Sequence, residues 1–554
     1  MPTLDWMGKD KVINYHQKVP YRVLENIPEK GVLDSNGSDC GNMIIHGDNL
    51  EALKALLPEY ENRIDCIYID PPYNTGNEKW IYNDNVNDPR IKKWIGEVVG
   101  PEGEDFCRHD KWLCMMYPRL QLLRKLLTPT GIIFISIDDN ELANLKYMCD
   151  EIFSSSNLIS CCTRIAKRTS NKGNFFKPTK DYLLVYAKNV SNINWKFGIK
   201  KEIKLSEYKY EDHFGRYKKN GASLYQPSLD SRPNQRYYIE CPDGSFIIPP
   251  GNVFPEEVFD GAKVAPVSNE DKCWRWSQET YLNNKDKLIF TKASSTCPLL
   301  DSNKNPSKWN IYDKVYLHNK ENETLLPDDV ITEYVNSQGT KELNKLGINF
   351  AFSKPVGLIE YLLSLSKISK DAIILDSFAG SGTTAQAILE ANKRDGGTRK
   401  FILIELGDYA DAITAERVRR VINGYGKGKN VVAGIDTGFS YYELGTTLFL
   451  TDGTLNPKAD RKSLYQYIWY SETKSMYIDH TSESPYLLGQ KDGTVYYFLY
   501  EPDSQTTLSK KALSSLPLRG DTTVIYADRC SLSKETLQAL NIVFKQIPRK
   551  IARV

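Results

Sequence analysis

The chain has 554 residues, 41% of them hydrophobic, and a formal net charge of +2 from 72 basic and 70 acidic side chains. This length is too great for one hydrophobic core, so three or four domains are expected. The sequence has no apolar run of about 18 residues and no signal-peptide pattern, which excludes a membrane-spanning or secreted protein and predicts a soluble, cytoplasmic one. The 11 cysteines include no C-x-x-C pair, so we expect free thiols, no disulfide framework and no metal site.

Residues 1–38 are polar and rich in turns, and are predicted to form an N-terminal arm. Strands and helices alternate in residues 39–190, which indicates parallel strands. The predicted strands are 43–46, 64–69 and 131–137, and the predicted helices are 49–57, 112–127 and 139–153. Strands at 158–162 and 182–186 have no helix between them, so they are predicted to pair antiparallel at the edge of the sheet.

The tetrapeptide Asp70-Pro71-Pro72-Tyr73 follows the strand at 64–69 and ends it, because proline has no ladder N–H. It therefore lies at the carboxyl end of a strand, where open α/β sheets bind ligands. Asp70 supplies only acceptors, Pro71 offers a carbonyl and Tyr73 an aromatic face. This combination suits a planar heterocycle that carries an exocyclic amine. An ordinary tight turn is the alternative interpretation.

Positive charge is concentrated from Arg164 to Lys219, where 15 lysines and arginines accompany five acidic residues. The densest part joins the two antiparallel strands and is rich in Asn, Ser and Gly, as expected of a loop that binds phosphates. The predicted DNA-binding residues are Arg164, Lys167, Arg168, Lys172 and Lys177. A solvated basic loop without a ligand is the alternative.

Residues 191–345 contain aromatic residues and Pro-Gly or Asp-Gly turns but few helical patterns, which predicts a mainly β or mixed region. The sheet resumes in residues 346–440, with one strand before Asp376 and another that ends at Glu405. These two bring the predicted strands of the sheet to seven. Residues 441–554 are predicted to form a small α/β domain, with strands at 495–500, 523–526 and 542–544 and helices at 508–516 and 533–540.

A glycine-rich turn follows the first of the two later strands, in Asp376-Ser377-Phe378-Ala379-Gly380-Ser381-Gly382-Thr383-Thr384. Its glycines let the backbone approach a ligand closely, and the helix that follows presents free N–H groups. Glu405 ends the next strand 23 residues after Gly382 (405 − 382), a spacing that suits ribose hydroxyls. The sequence therefore predicts a cofactor that contains a nucleoside.

The tetrapeptide and the glycine-rich turn together resemble the motifs of amino-group DNA methyltransferases. Their order in the chain is similar to that of the beta class, and within it to the modification subunits of type III restriction-modification systems. Residues 44–53, 74–77 and 352–355 also match, so the likeness covers about residues 40–190 and 345–440. It implies a circularly permuted, Rossmann-like, seven-stranded methyltransferase fold, with an inserted target-recognition region at 191–345.

The resemblance implies methyl transfer from S-adenosylmethionine to N6 of an adenine flipped out of double-stranded DNA. Asp70 and the Pro71 carbonyl would accept the N–H groups of the amine, Pro72 would fix the turn and Tyr73 would stack on the base. The implied cofactor-binding residues are Asp48, Asn49, Lys354, Asp376, Phe378, Ala379, Gly380, Gly382, Thr383 and Glu405.

These cofactor residues have separate expected roles. Asp376 and the backbone of the turn would hold the methionine end, Glu405 the ribose and Asp48 the adenine amine. Lys354 would lie near the carboxylate.

Two alternatives stay open. Cytosine N4 is the alternative acceptor, and a DNA-binding recognition subunit of a larger restriction complex is the alternative from another class. We expect a homodimer that acts on double-stranded DNA. A restriction or other defence-system subunit is a candidate partner, and residues 441–554 are the candidate contact region.

Overall fold

The computed structural model describes residues 3–75, 108–169, 175–194, 197–200, 204–319, 324–426, 428, 431–450, 452–548 and 551. The chain divides into two compact units, one of residues 1–197 with 327–554 and the other of residues 198–326. The predicted recognition region, 191–345, therefore extends too far at both ends. Within the described residues, no helix has the length and apolar character needed to cross a membrane.

The N-terminal segment is part of the first unit. It contains α1 (Lys9–Val12), α2 (Tyr15–Lys18) and β1 (Arg22–Asn26). Trp6, Val12 and Val19 are buried in the main hydrophobic core, and Lys9 forms an ion pair with Glu151 at 2.7 Å. The prediction of a separate arm at residues 1–38 is wrong. The segment has few apolar side chains, but three of them, Trp6, Val12 and Val19, are buried in the core of the first unit.

The alternating elements predicted for residues 39–190 are all present, although several begin or end a few residues away. They are β2 (Met43–His46), α3 (Asn49–Tyr60), β3 (Ile64–Ile69), α4 (Arg108–Leu126), β4 (Leu127–Ile137), α5 (Leu142–Cys149), β5 (Leu158–Ile165) and β6 (Lys180–Ala187). Helix α3 begins where predicted because the Asp48 side chain accepts a hydrogen bond from the Leu50 N–H at 2.8 Å.

The second unit is mainly β, as predicted. It contains β7 (Ile199–Lys200), β8 (Tyr210–Asp212), β9 (Gly215–Lys219), β10 (Ile239–Glu240), β11 (Phe246–Ile248), α6 (Gln278–Leu282), β12 (Leu288–Lys292), β13 (Leu300–Asp301), β14 (Trp309–Tyr316) and β15 (Thr324–Leu325). The sheet orders are β10-β11-β13, β12-β14-β9-β8 and β15-β7. Trp274 is fully buried in its core and donates to the Tyr237 carbonyl at 2.8 Å.

The first unit resumes after residue 326. Its next elements are β16 (Val330–Ile331), α7 (Asn336–Leu346), α8 (Val356–Leu365), β17 (Ile373–Asp376), α9 (Thr383–Asp395), β18 (Lys400–Glu405), α10 (Glu416–Asn423), β19 (Gly424–Tyr425), β20 (Val432–Ala433) and β21 (Ser440–Thr447). Residues 327–345 thus contribute β16, which pairs with β5.

One large mixed sheet forms the centre of the first unit. It has ten strands in the order β1-β21-β2-β18-β17-β3-β4-β6-β5-β16. Neighbouring strands from β21 to β4 are parallel, and β5 and β6 pair antiparallel as predicted. The prediction of seven strands is too low, because β1, β16 and β21 also join this sheet.

The C-terminal segment adds a smaller mixed sheet, in the order β22-β23-β25-β27. Its elements are α11 (Arg461–Thr473), β22 (Leu487–Lys491), β23 (Thr494–Phe498), β24 (Thr507–Leu508), α12 (Lys510–Ser514), β25 (Thr522–Ala527), β26 (Arg529–Cys530), α13 (Lys534–Ala539) and β27 (Ile542–Gln546). Helix α11 contacts α3, where Tyr470 donates to Glu61 at 2.5 Å. The predicted boundary after residue 440 is wrong, since it divides β21, which belongs to the central sheet.

The strand order brings the predicted motifs together. Strand β17 lies between β18 and β3, and all three are parallel. Asp376 and Glu405 end β17 and β18, and Asp70 follows β3 directly. The three carboxylates therefore lie on neighbouring strands at the carboxyl edge of one sheet, where α/β proteins bind ligands.

Candidate active site

The tetrapeptide is held in place from α4. Trp112 Nε1 donates to the Pro72 carbonyl at 2.7 Å. Pro71 and Asp70 are buried, and Asp70 is 7% exposed. Because the two prolines have no N–H group, the chain leaves the sheet here, and the tryptophan fixes the direction in which it leaves.

A buried ion pair joins the tetrapeptide to the segment before α8. Lys354 Nζ donates to Asp70 Oδ2, and it also lies 5.1 Å from the centroid of the Tyr73 ring. The second oxygen, Asp70 Oδ1, is buried and has no hydrogen-bond partner in the described part of the chain. A buried carboxylate oxygen without a donor is unfavourable, so this atom is available to a ligand N–H.

The environment of Tyr73 keeps its hydroxyl protonated. Burial, and then the negative charge of Asp70, hold the pKa of Tyr73 well above its usual value. Arg164 and Asp181 also act on this hydroxyl. Arg164 is 2% exposed and donates to Asp181 Oδ1 at 2.7 Å and to the Tyr334 carbonyl at 2.8 Å. The prediction that Arg164 binds DNA is therefore wrong, because its guanidinium is buried in an ion pair beside the catalytic candidate.

A buried carboxylate anchors the chain just after the tetrapeptide. Asn74 has a φ of +55° and donates through Nδ2 to Glu141, which is fully buried, and to the Arg108 carbonyl at 3.1 Å. Glu141 also contacts His109 Nδ1 and accepts from Asn144 Nδ2, both at 2.7 Å. Glu141 was not identified from the sequence. Asn74 was a possible signal, because asparagine is among the few residues that adopt a positive φ readily.

The glycine-rich turn between β17 and α9 depends on both of its glycines. Gly380 and Gly382 have φ values of 53° and 78°. A Cβ on Gly382 would lie 3.0 Å from the Thr414 carbonyl oxygen, and Thr414 Oγ1 donates to the Gly380 carbonyl at 2.5 Å. Larger residues would therefore strain the turn and move it away from residue 414.

The turn lines a pocket that is open to solvent. Its wall also includes Asp70 and the aromatic rings of Phe350 and Phe352. Six predicted cofactor-binding residues line it, namely Lys354, Asp376, Phe378, Ala379, Gly380 and Thr383. The pocket thus brings the tetrapeptide and the glycine-rich turn to one site.

Two buried carboxylates accept hydrogen bonds from groups of the turn and so hold it in position. Asp376 accepts from the Phe378 N–H at 3.0 Å and from Thr384 Oγ1 at 2.5 Å. Glu405 Oε2 accepts from the Gly380 N–H at 2.7 Å. Burial raises the pKa of each carboxyl to about 7, although the hydrogen bonds that they accept oppose this effect. Both groups therefore titrate near neutral pH.

Asp48 and Asn49 are connected to the same turn. Asn49 Nδ2 donates to the Ser377 carbonyl at 2.8 Å. Arg119, which is 2% exposed, donates to Asp48 Oδ1 at 2.8 Å and to Asn49 Oδ1 at 2.5 Å. Arg119 was not identified from the sequence, since it falls on the apolar face of α4 where only packing is expected.

A second buried arginine lies behind the pocket and was also missed. Arg417 is fully buried, and its Nη1 donates to Ser353, Ser381 and Thr383 at 3.2, 2.9 and 2.7 Å. Its Nε donates to Gln386 at 2.7 Å, and burial lowers its pKa to about 10. One guanidinium thus holds the hydroxyls of the glycine-rich turn and of the residue next to Lys354.

The remaining basic candidates lie in the loop between β5 and β6. Lys167, Arg168 and Lys177 are exposed, so they are accessible to a phosphate. Lys172 lies outside the described residues. Strand β4 pairs parallel with β3 and antiparallel with β6. The end of β3 and the start of β6 therefore lie at the same edge of the sheet, so the loop before β6 is at the edge where Asp70 lies.

Comparisons with known proteins give a consistent result. A family model described as DNA methylase matches residues 64–416, more than half of the chain. The Mod subunit of the type III restriction-modification enzyme EcoPI of Escherichia phage P1 is 32% identical over 434 residues, which cover 73% of this chain and 63% of that subunit. The chain thus spans less than two thirds of the length of this relative.

Two further similarities concern a type II enzyme and a solved structure. The type II methyltransferase M.KpnI of Klebsiella pneumoniae is 32% identical over 69% of this chain and 84% of its own length. The solved M1.HpyAVI–SAM complex is 13% identical, with a TM-score of 0.28, and the match covers 68% of this chain and 98% of that one. The resemblance inferred from the two motifs is confirmed by the family model and by M.KpnI: the chain belongs to the DNA methylase family.

Proposed function

We propose that the protein is a site-specific DNA methyltransferase of the cytoplasm, which transfers a methyl group from S-adenosylmethionine to N6 of an adenine extruded from duplex DNA. The proposal rests on one observation above all. Asp70 Oδ1 is a buried acceptor without a partner among the described residues, and Asp70 lines the same pocket as the glycine-rich turn.

The arrangement suits chemistry at an aromatic amine. Such an amine is a weak nucleophile because its lone pair is delocalised into the ring. Asp70 Oδ1 and the Pro71 carbonyl would accept its two N–H groups and so localise the lone pair. Lys354 holds the other oxygen of Asp70, and Trp112 holds the Pro72 carbonyl, so the acceptors are oriented before the base arrives. Tyr73 offers an uncharged ring on which the base would stack.

The pocket fits S-adenosylmethionine by its chemistry. The turn keeps its conformation only because Gly382 has no Cβ, since a Cβ there would lie 3.0 Å from the Thr414 carbonyl oxygen. The Asp376 carboxylate and the backbone of the turn line the pocket, where they can meet polar groups of a ligand. When bound, S-adenosylmethionine supplies an activated methyl group on a sulfonium. Asp376 and the backbone of residues 378–382 would hold its methionine end, Glu405 its ribose and Asp48 its adenine amine, with Asn49 and Thr383 beside them.

Lys354 would link the Asp70 carboxylate to the cofactor. Its ammonium group has three N–H donors, and one of them is used on Asp70. Lys354 also lines the pocket. We therefore propose that it orients Asp70 with one proton and donates another to the carboxylate of the cofactor.

The sheet supports a finer description of the fold. The strand that carries the tetrapeptide, β3, precedes β17 in the chain by about 300 residues, yet it pairs directly with it. A circularly permuted Rossmann-like methyltransferase domain has this order of motifs. Residues 198–326 are the proposed target-recognition unit.

The partners are proposed from the relatives. EcoPI Mod is named as a subunit of a type III restriction-modification enzyme. By analogy, we propose a restriction subunit as a partner, with residues 448–554 as a contact region, and a homodimer as the assembled form.

Adenine is preferred as the acceptor base because the tetrapeptide begins with Asp70. Cytosine N4 remains the competing acceptor. A recognition subunit without catalytic activity would have no use for Asp70 or for Gly380 and Gly382, all of which are present.

Sequencing that detects modified bases tests this function directly. DNA from cells that express the protein should carry N6-methyladenine within one short motif, and DNA from cells with the Asp70→Asn variant should not. N4-methylcytosine in a motif would assign the other base. Unmodified DNA from expressing cells would contradict the proposal.

We predict that Asp70→Asn lowers the rate of methyl transfer to duplex DNA by about 10³-fold, because the oriented negative acceptor is lost. Cofactor affinity, measured by calorimetry, should change by less than about threefold. Asp139→Asn is the matched control, since Asp139 is exposed at the same edge of the sheet and its side chain is 64% exposed. Equal rates in the two variants would place the catalytic acceptor elsewhere.

We predict that cofactor affinity rises with pH between about 6 and 8. The pKa of Glu405 is raised to about 7, so its carboxyl is protonated at pH 6 and ionised at pH 8, and only the ionised form accepts both ribose hydroxyls. Calorimetric titration should show roughly a tenfold gain over this range. Glu405→Gln should bind more weakly and with a smaller pH dependence. An unchanged pH profile in this variant would remove Glu405 from the cofactor site.

We predict that Arg417→Met weakens cofactor binding about tenfold, because Ser353, Ser381 and Thr383 lose the donor that orients them. Its free energy of unfolding should change by less than about 1 kcal/mol, since the desolvation of a buried cation offsets its hydrogen bonds. Arg394→Met, at a side chain that is 62% exposed, is the control and should alter neither quantity. A loss of stability with unchanged cofactor affinity would assign Arg417 a purely structural role.

A further inference from the structure

Two adjacent phenylalanines lie in the loop between β5 and β6, and the methyl-transfer chemistry does not use them. Phe175 is 96% exposed and Phe176 is 92% exposed. The next most exposed large apolar side chain in the described part of the chain is Val267, at 81%. Folding normally buries aromatic rings, and two fully exposed ones side by side indicate a surface that a partner covers.

The charge around these rings identifies the kind of partner. Lys167, Arg168 and Lys177 are exposed in the same loop, and the described residues 166–169 and 175–179 include no acidic side chain. Cations beside exposed apolar rings match the chemistry of duplex DNA, which presents phosphates outside and stacked bases inside.

The loop also lies at the appropriate edge of the sheet. Ile69 at the end of β3 is paired with Ile135, and Ile135 is paired with Leu184. The β5–β6 ladder continues from there to the pair Ile165 and Lys180. The hairpin therefore extends beyond the strand end that Asp70 follows.

The base of the hairpin is fixed next to the tetrapeptide. The buried ion pair of Arg164 and Asp181 lies across β5 and β6, close enough for both charges to act on the Tyr73 hydroxyl. Ala166 donates to the Thr179 carbonyl at 2.9 Å. The hairpin is thus anchored up to residues 166 and 179, and the two rings lie a few residues beyond.

We propose that Phe175 and Phe176 form an aromatic wedge that enters the base stack of duplex DNA and fills the space left by the extruded base. This inference rests on the proposed function and assigns it two further residues. Extrusion breaks the stacking of the target base with its neighbours, and a ring in the gap restores part of that stacking. Phenylalanine has no hydrogen-bonding group, so the wedge favours extrusion without selecting the sequence.

The test compares duplexes that differ only in how easily the target base leaves the stack. The preferred duplex is first selected by binding from a random pool. It is then prepared with the target base paired, and again with that base opposite an abasic site. Phe175→Ala/Phe176→Ala should lose about 30-fold in kcat/KM on the paired duplex and less than about threefold on the abasic one, because extrusion is easiest where the base has no partner.

A second readout does not depend on methyl transfer. With 2-aminopurine at the target position, the protein should raise the fluorescence of the paired duplex, and the double alanine variant should not. Leucine at both positions should restore most of the rise, since an apolar wedge need not be aromatic. If no variant methylates DNA but the phenylalanine-dependent fluorescence remains, the proposed function fails and the wedge stands.

Two control variants separate the wedge from general effects. Ile478→Ala removes another exposed apolar side chain, 67% exposed in the C-terminal segment, and should leave both readouts unchanged. Lys177→Ala should weaken binding to both duplexes equally. It should also reduce the number of counterions released on binding by about one, as measured from the salt dependence of the affinity.

Several outcomes would overturn the wedge. The first is a loss of kcat/KM in the double alanine variant that is equal on the paired and abasic duplexes, and the second is no loss on either duplex. The third is a fluorescence rise that persists in the double alanine variant. Normal activity on DNA with lost binding to phosphatidylglycerol vesicles would instead assign the two rings to a membrane surface.

Discussion

The direct pairing of β3 with β17 is the contact on which the rest of the site depends. Ile374 pairs with Cys66, and the Asp65 side chain accepts from the Ile373 N–H at 2.9 Å. Closing a loop of some 300 residues costs little more free energy than closing a loop of half that length, because the entropic cost of closure grows only with the logarithm of loop length. The insertion of a whole unit between the two halves therefore leaves the pairing favourable, and the parallel register brings Asp70 and the glycine-rich turn to one edge.

Around that edge the protein buries charge instead of excluding it. Asp70 is neutralised by Lys354, whereas Asp376, Glu405 and Arg417 are held mainly by neutral hydrogen-bonding groups. Buried charges with neutral partners contribute little to folding stability. They do fix hydroxyls and backbone N–H groups in position, which is what a site must do to act on a substrate without rearranging. The cluster is better explained by positioning than by stability.

The sequence predicted what depends on local pattern. Apolar runs located β3 and β17, and motif spacing placed Glu405 beside the glycine-rich turn. It did not predict contacts between distant polar groups, because charge in a sequence does not reveal burial. Arg164 was therefore assigned to DNA although it pairs with Asp181, and Arg417 was overlooked because an arginine among apolar positions of a helix is ordinarily exposed. Strand β21 was missed as part of the central sheet because its partners β1 and β2 lie some 400 residues earlier.

The position of β21 has a consequence for synthesis. Strand β2, which leads into Asp48, lies between β18 and β21, and both are made long after it. During translation at about 5–20 residues per second, β2 would wait tens of seconds for its second neighbour. The central sheet cannot be completed until residue 447, the end of β21, has left the ribosome. Nascent chains, and fragments that stop before β21, would therefore lack one of the two neighbours of β2, the strand that leads into Asp48.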